Sequence, residues 1–314
     1  MKLYLFSNIL LLSLSFVIAL PSYANVPDKK TSPSSLKMDT DSCSKARGIL
    51  VLAHGKSNHN HDRVPLLQSS VKNEWDNTIL EMVGEASLQI PYPVEVAFGM
   101  WDQMSFQEGV TLLANQSVCE LIVVPLFISD HSEVIRAQKY QFHITDTNPL
   151  PFDPGRVTIP TSIQRVIFKS ALNDDSHLSM IIANRANAIS QDPMREDLIL
   201  VAHGPNEDED DLLWTKDLST HASRITTPFH NIHLLTLRDD APEEIRGRKT
   251  KELQDMVKKS IEENRIPLIV PILLAPGGIE GGLKERLQGL KYTLSPKMLA
   301  PDEHLVEWII QESL

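Results

Sequence analysis

Two histidines stand in the same short sequence, Ala-His-Gly, and each directly follows an apolar run. His54 comes near the end of residues 48–55, GILVLAHG, and His203 near the end of residues 197–204, DLILVAHG. A neutral imidazole can ligate Fe, Co, Ni or Zn, and it can accept a proton near pH 7. A single histidine in this setting is more often a hydrogen-bonded core residue. The recurrence of the whole sequence favours metal or proton chemistry.

Carboxylates and a further histidine follow a second pair of apolar runs. His131 and Glu133 come after residues 121–127, and Glu280 stands among glycines after residues 267–275. Either glutamate could cap the helix that follows it, because a carboxylate is favourable at a helix N-terminus. For Glu133 we leave capping and metal or proton handling open. The glycines beside Glu280 leave room for a bulky flat ligand against the backbone, which favours a site there.

The elements that would position these residues alternate between strand and helix. Strands are predicted at residues 48–55, 92–99, 121–127, 157–159, 198–202, 231–237 and 267–275. Helices are predicted at residues 65–86, 105–115, 162–188 and 242–264, with others near 212–218 and the C-terminus. Residues 136–143 are expected to form a helix or a loop. This alternation predicts parallel sheets with right-handed crossovers. The carboxyl ends of parallel strands share one edge, which is where such sheets bind ligands.

The two halves of the chain carry the same landmarks in the same order. Three pairs recur at offsets of 149, 146 and 147 residues: His54 and His203, Val124 and Val270, Glu133 and Glu280. A nearly constant offset indicates two copies of one set of βα units. We therefore predict an α/β fold of two similar lobes, residues 45–160 and 161–314. Each lobe is expected to be a doubly wound parallel sheet flanked by helices, and the two lobes are expected to face each other across a cleft.

The first 24 residues have the composition of a signal peptide. Residues 9–20 are apolar, and residues 22–24, Ser-Tyr-Ala, form a small-x-small cleavage site. An uncleaved membrane anchor is the alternative, but the apolar run is short for a span. Residues 25–44 are rich in Pro, Ser, Lys and Asp and are expected to be a flexible lead-in. The predicted location is the periplasm or the outside of the cell, with no membrane span after cleavage.

The net charge of −11 argues against nucleic acid as a partner and suits cations or a metal. Several common catalytic motifs are missing from the sequence. It contains no G-x-S-x-G elbow, no Walker A loop, no G-x-G-x-x-G after a strand and no H-E-x-x-H.

The chain contains two cysteines, Cys43 and Cys119. An even pair in an exported protein suggests one disulfide. Each cysteine directly precedes a predicted strand. If those strands are neighbours, the two sulfurs lie at the same edge of the sheet and within bridging distance. That edge is opposite His54, which favours a structural disulfide over a metal site.

The Ala-His-Gly strand end, followed by Val-Pro-Leu-Phe-Ile-Ser at residues 124–129 and a loop bearing His or Glu, resembles the class II chelatases. These are the sirohydrochlorin cobalto- and ferrochelatases. The resemblance covers both lobes, about residues 45–290, as in family members with two fused copies. It implies that His54 and its mate His203 match the family's first metal-site histidine. At the position of the second histidine this sequence has Glu133, with His131 two residues earlier.

The resemblance implies insertion of a divalent Co, Fe or Ni ion into a tetrapyrrole such as sirohydrochlorin, a small molecule held between the lobes. The metal ion would be a substrate, no organic cofactor is implied, and a monomer is sufficient to build the cleft. The implied catalytic residues are His54, Glu133, His203 and Glu280. The implied metal ligands are His54, His131, Glu133 and His203.

Two other functions compete with this interpretation. One is a non-catalytic periplasmic metal- or haem-binding protein that keeps the same scaffold. The other is a metal-dependent hydrolase, for which the sequence offers no recognisable nucleophile. Within the chelatase interpretation we expect the first lobe to be the active one, because it holds more potential ligands. We also expect His54 and Glu133 to point into one cleft, with His203 and Glu280 at the matching place in the other lobe.

Overall fold

The computed structural model describes residues 46–55, 74–275 and 278–314. The predicted signal peptide and lead-in, residues 1–24 and 25–44, lie outside these residues. Cys43 and the first part of the helix predicted at 65–86 also lie outside them.

The first lobe is built on a sheet of four parallel strands. The strands are β1 (Arg47–Ala53), β2 (Val94–Phe98), β3 (Glu120–Leu126) and β4 (Arg165–Phe168). Their order across the sheet is β2-β1-β3-β4. Three helices accompany them: α1 (Glu74–Ser87), α2 (Gln103–Ala114) and α3 (Glu133–Gln141).

The second lobe has a sheet of the same order, β6-β5-β7-β8, again with parallel pairing. Its strands are β5 (Glu196–Ala202), β6 (Asn231–Thr236), β7 (Ile266–Ile272) and β8 (Thr293–Leu294). The remaining helices are α4 (Ser176–Ile189), α5 (Asp208–Ser223), α6 (Glu243–Glu262), α7 (Gly278–Arg286) and α8 (Glu303–Ser313). The predicted α/β fold of two lobes is confirmed.

The central strands are apolar along their whole length because helices cover both faces of each sheet. Every residue of β3 and of β5 is buried, and β1 and β7 are each buried except for their first residue. The edge strands β2 and β4 are only partly buried. Both sheets contribute one face to a common core with α1, α4, α5 and α8. The other face of the first sheet packs against α2, and that of the second sheet packs against α6 and α7.

Two helices pack on the sheet that they do not follow. Helix α4 comes after β4 of the first sheet but contacts β7 and α5. Helix α8 comes after β8 of the second sheet but contacts β3 and α1. The carbonyl oxygen of Leu314, just past α8, accepts a hydrogen bond from Arg47 at the start of β1, at 2.8 Å. Each lobe is therefore completed by a helix that continues from the other sheet.

The segment between the lobes differs from the prediction. Residues 157–159 form no regular strand, and the segment predicted as a helix at 162–188 contains β4 before α4 begins. The four residues of β4 pair with β3, and Arg165 donates to the buried carboxylate of Glu120 at 3.2 Å. Tertiary pairing thus overrides the local pattern. Since β4 lies beyond residue 160, the first sheet extends past the lobe boundary that we placed there.

Cys119, immediately before β3, is disulfide-bonded, and the described residues contain no free cysteine. The only other cysteine of the sequence, Cys43, lies outside the described residues. Strands β1 and β3 are neighbours, as the disulfide prediction required. None of the helices in the described part of the chain is long and apolar enough to span a membrane.

Candidate functional site

The two sheets place His54 and His203 at equivalent positions. Each is the first residue after a central strand, β1 or β5, at the carboxyl end. In a sheet of order 2-1-3-4 the chain reverses its direction of winding between strands 1 and 3, and ligands bind at that point. Both histidines therefore lie where the fold offers a binding crevice.

The turn at His54 is fixed by its neighbours. The indole Nε1 of Trp75, in the first turn of α1, donates to the carbonyl oxygen of His54 at 2.5 Å. Gly55 has no space for a side chain, since a Cβ atom there would lie 2.5 Å from the ring of Phe98 and 2.7 Å from Oδ1 of Asp76. The backbone is held between α1 and β2, and part of the surface of His54 remains accessible to solvent.

The pKa of His54 is lowered from its ordinary value. The main cause is desolvation by the surrounding protein, followed by the charge of His203, while the nearby carboxylate of Asp76 acts in the opposite direction. At neutral pH the imidazole is therefore neutral, with a lone pair that can bind a metal or accept a proton. The second of these causes comes from the strand-end histidine of the other lobe.

The ring of His203 is oriented by a backbone carbonyl. Its Nδ1 lies 2.6 Å from the carbonyl oxygen of Gly204, and its Nε2 lies 3.4 Å from Oδ2 of Asp240 in the loop between β6 and α6. Gly204 has a φ of +76°, and a Cβ atom there would lie 2.6 Å from the Cβ of Thr236. Only glycine fits this turn without strain.

A buried arginine supports the same turn from behind. The backbone N–H of Arg238 donates to the carbonyl oxygen of His203 at 2.6 Å. Its guanidinium donates to the carbonyl oxygen of Pro205 at 3.0 Å and to Asp208 at 2.6 Å. Its charge is therefore compensated locally, so the turn does not present an uncompensated cation to the site.

His131, predicted as a metal ligand, lies at a contact between the lobes. Its Nε2 is 3.9 Å from Oδ2 of Asp217 on α5, and its carbonyl oxygen accepts from Nε1 of Trp214 at 2.7 Å. Nearby, Arg136 of α3 binds Asp210 of α5 through both carboxylate oxygens, at 2.9 and 2.8 Å. We call these contacts, between residues 131–136 and α5, the inter-lobe latch. They tie the loop after β3 to the second lobe.

The two glutamates each lie in the first turn of a helix. Glu133 is the first residue of α3, after Ser132, whose hydroxyl accepts from the N–H of Ile135 at 3.3 Å. Glu280, in the first turn of α7, forms an ion pair with Lys284 one turn later. The predicted pairing of Glu133 with His54 and of Glu280 with His203 stays a prediction.

Within the described ranges, no group of three or more His, Cys, Asp or Glu side chains is arranged to hold a metal ion. The predicted ligands His54, His131, Glu133 and His203 therefore do not form one ready-made group of that size. Of these residues, His203 acts electrostatically on the pKa of His54, and His131 contacts α5.

Sequence reasoning missed two carboxylates beside the histidines, Asp76 and Asp240. Asp76 is buried at 3% exposure and shares a face of α1 with Ile79, three residues later. A charged residue on the apolar face of a predicted helix was the available signal. Asp240 follows the strand predicted at 231–237. The rule that drew attention to His54, a polar residue at the carboxyl end of a parallel strand, would have found it.

The architecture has counterparts among solved structures. SirB from Bacillus subtilis with Fe3+ superposes with a TM-score of 0.58 at 17% sequence identity, over 85% of this chain and 93% of SirB. The sirohydrochlorin chelatase SirB from Bacillus subtilis subspecies spizizenii, in complex with cobalt, gives a TM-score of 0.54 at 13% identity, with the same coverage. This chain has a class II chelatase-like fold. The resemblance seen in the sequence is thus confirmed at the level of the fold.

No family model matches the sequence, and no curated protein sequence matches it. The chelatase-like fold accounts for the two lobes. Because one fold can host unrelated functions, the activity has to be argued from the site itself.

Proposed function

We propose that this protein inserts a divalent metal ion, Co, Fe or Ni, into a tetrapyrrole such as sirohydrochlorin. The observation that carries the proposal is the pair of strand-end histidines, His54 and His203, at the ligand edges of a chelatase-like fold. The metal-bound SirB structures have the same fold over 93% of their length, which supports metal handling in this scaffold.

The chemistry needs a base and a metal ligand close together. Two protons must leave the pyrrole nitrogens as the metal ion enters, so that the macrocycle gains the two negative charges that bind the metal. His54 suits the role of acceptor because its lowered pKa keeps it neutral at neutral pH. The carboxylate of Asp76 stabilises the imidazolium that forms. A histidine with a low pKa also returns its proton to water readily, which resets the site.

A non-catalytic metal- or haem-binding protein is the second candidate function. It is favoured by the contacts of the predicted loop residues, since His131 belongs to the inter-lobe latch and Glu280 pairs with Lys284. A carrier would need the crevice and the metal ligands but not a proton acceptor.

Anaerobic incubation with sirohydrochlorin and Co2+, followed by absorption spectroscopy, separates the two functions. We expect the spectrum of the metallated macrocycle to appear with wild-type protein and to be lost with His54→Ala. His230→Ala is the matched control, because His230 directly precedes β6 at the opposite edge of the second sheet and is exposed. Binding of the macrocycle or the metal without insertion would show that the protein is a carrier.

The proposal also includes export to the periplasm or the cell exterior. A disulfide at Cys119 supports it, because such bonds persist in oxidising compartments. Mass spectrometry of the protein from fractionated cells should find a mature N-terminus at Asn25 outside the cytoplasm. An intact N-terminus in the cytoplasmic fraction would refute this part of the proposal.

A further inference from the structure

Strand β6 lies at one edge of the second sheet and has an open outer side. Its inner side pairs with β5, and no strand in the described part of the chain pairs with its outer side. The first four of its residues, 231–234, are only partly buried. An edge strand presents unpaired N–H and C=O groups that can pair with another chain. The outer side of β6 is therefore a backbone surface on which an additional strand can form.

A groove with a volume of about 490 Å³ lies beside this edge. Strand β6 lines it with His233, and helix α6 lines it with Met256 and with five charged side chains between positions 248 and 259. A peptide that adds to a sheet gains affinity from main-chain hydrogen bonds and specificity from the contacts of its alternate side chains. Here the open edge offers the hydrogen bonds, and the groove offers the contacts.

The charges of the groove are only partly paired. Both of its carboxylates form ion pairs with lysines of the same helix, at 3.2 and 2.8 Å. Arg248 and Lys259 are the first and last residues of α6 that line the groove, and they form no ion pair within the described ranges. The groove therefore carries an unpaired cation towards each end, which favours an acidic ligand.

The spacing of these two cations matches an extended chain. Along α6, Arg248 and Lys259 are about three turns apart, which corresponds to about 16–17 Å. A strand that paired with all six residues of β6 would also cover about 16–17 Å between its first and last Cα atoms. Acidic residues near the two ends of such a strand would lie within reach of the two long basic side chains.

We propose that the outer edge of β6 and the groove beside α6 bind an extended acidic segment of another protein, which adds to the second sheet as a fifth strand. The surface lies along the side of the sheet and does not include the strand-end histidines, so the inference is independent of the proposed function. The net charge of −11 does not oppose it, because charges farther away than about 8 Å are largely screened at physiological ionic strength.

A second copy of this chain fits the edge less well than an acidic segment does. Two copies that paired antiparallel through β6, about a two-fold axis perpendicular to the sheet, would run their α6 helices in opposite directions. Arg248 of one copy would then lie at the end where the other copy has Lys259. Like charges placed opposite each other destabilise such a pair.

The open edge of the first sheet has the opposite charge. Glu95 lies three residues before the end of β2, as His233 does in β6. Desolvation raises the pKa of Glu95, and the charge of Glu108 on α2 raises it further. The first sheet therefore has carboxylates beside its edge, and an acidic segment should select β6.

A fluorescein-labelled peptide of six residues, with glutamate at both ends and valine and threonine alternating between them, is the probe. We expect fluorescence anisotropy to show binding, and we expect hydrogen exchange of the β6 amides to slow when the peptide is bound. Arg248→Glu and Lys259→Glu together should weaken binding about tenfold, because two ion pairs are lost and replaced by repulsion. Both residues are exposed, so the fold should be unaffected.

Three controls separate strand addition from general attraction. Lys291→Glu and Lys297→Glu together make the same change of charge at exposed positions on either side of β8, the opposite edge of the same sheet, and should leave the affinity unchanged. The probe with lysine at both ends should bind at least tenfold more weakly. The probe with methylated backbone nitrogens should not bind, because it cannot donate hydrogen bonds to the edge.

Absence of binding, or equal binding of the glutamate and lysine peptides, would overturn the inference. An equal loss of affinity in the control variant at β8 would also overturn it, and so would protection confined to β2. Concentration-dependent dimerisation of the protein alone, with slowed exchange at β6, would show that a second copy occupies the edge instead.

Discussion

At the scale of single residues, each histidine turn contains a closely packed glycine, but the two turns differ in what lies behind them. The glycine after each histidine is packed so closely that no side chain fits. Behind His54 lies the buried carboxylate of Asp76, and behind His203 lies Arg238 with its acidic partner. The first histidine therefore has a negative neighbour that supports proton acceptance. At the second histidine, the charge of Arg238 is already paired with Asp208, and the exposed carboxylate of Asp240 lies near the ring.

The packing of Gly204 leads to a stability prediction. Gly204→Ala combines a positive φ with a contact of 2.6 Å, so we expect it to lower the free energy of unfolding by about 1–3 kcal/mol. Gly247→Ala, in the second turn of α6 with open space around it, should raise that free energy by about 0.5–1 kcal/mol. Urea denaturation of both variants measures the difference. Equal effects of the two substitutions would contradict the close packing at the turn.

The sequence was sufficient to find His54 and His203, because a strand end followed by glycine is a local pattern. It was not sufficient to find Asp240 as a partner of His203. The contact joins loops that follow different strands, 37 residues apart, and depends on the parallel pairing of β5 with β6. His131 lies in the loop after β3, whereas Glu133 is the first residue of α3. The contacts of His131 with α5 depend on how the second lobe packs, which no local pattern encodes.

At the scale of elements, α5 connects the lobes. One face of this helix carries Asp210, Trp214 and Asp217, spaced by four and three residues, and all three contact residues 131–136 of the first lobe. Further along α5, the buried ring of His221 accepts at Nδ1 from the hydroxyl of Ser179, at 2.7 Å. Its Nε2 donates to the carbonyl oxygen of Asn173 at 2.8 Å. The helix is thus fixed to the segment that joins the two sheets.

This arrangement predicts a loss of stability in acid. Desolvation is the main cause that lowers the pKa of His221 below 6.5, and the charge of Arg224 adds to it, while Asn173, Asp174 and Asp175 oppose it. The folded protein binds this proton less readily than the unfolded chain. The stability contributed by the neutral ring is therefore complete above the ordinary pKa and is lost as the pH falls below it.

The test compares wild-type protein with His221→Gln, which keeps one donor and one acceptor but does not titrate. Between about pH 7.5 and about pH 5.5 the free energy of unfolding should fall less steeply in the variant. The pKa values of His54 and His233 are also lowered, so these residues add to the loss of stability in acid in both proteins. Only the difference between the two proteins therefore reports on His221. Parallel pH profiles would show that His221 is not responsible.

The elements themselves were predictable to different degrees. The central strands were located within one to three residues at each end because continuous apolar runs are a strong signal for strands buried on both faces. Strand β4 was missed because its four partly buried residues are defined by pairing with β3 and by the ion pair between Arg165 and Glu120. The helix predicted at 162–188 started too early, because its first part contains β4 and α4 begins only at Ser176.

At the scale of the whole molecule, the shared core makes the two lobes one unit. Helix α8 carries Trp308, which is 1% exposed in a cluster that includes residues of both sheets. The same helix contacts α1, α4 and β3. Neither lobe can therefore be removed without opening the core of the other.

We expect Trp308→Ala to lower the free energy of unfolding by about 3–5 kcal/mol, as for other large buried aromatic residues. Glu307→Ala, an exposed position on the same helix, should change it by less than about 0.5 kcal/mol. Hydrogen exchange with mass spectrometry gives the second readout. The amides of β1 and β5 should open with the same free energy in the wild type, and both should shift together in Trp308→Ala. Separate opening of the two sheets would contradict a common core.

The position of α8 has a consequence for how the chain is made. The strands of the first sheet leave the ribosome early, but the helix that covers α1 and β3 is synthesised much later in the chain. At about 5–20 residues per second, the ribosome needs roughly 10–35 seconds to travel from the end of β3 to the start of α8. During that interval an apolar surface of the nascent chain stays uncovered and is open to chaperones and proteases. Chains stalled before Glu303 should be cut within α1, and emergence of α8 from the ribosome should end this sensitivity.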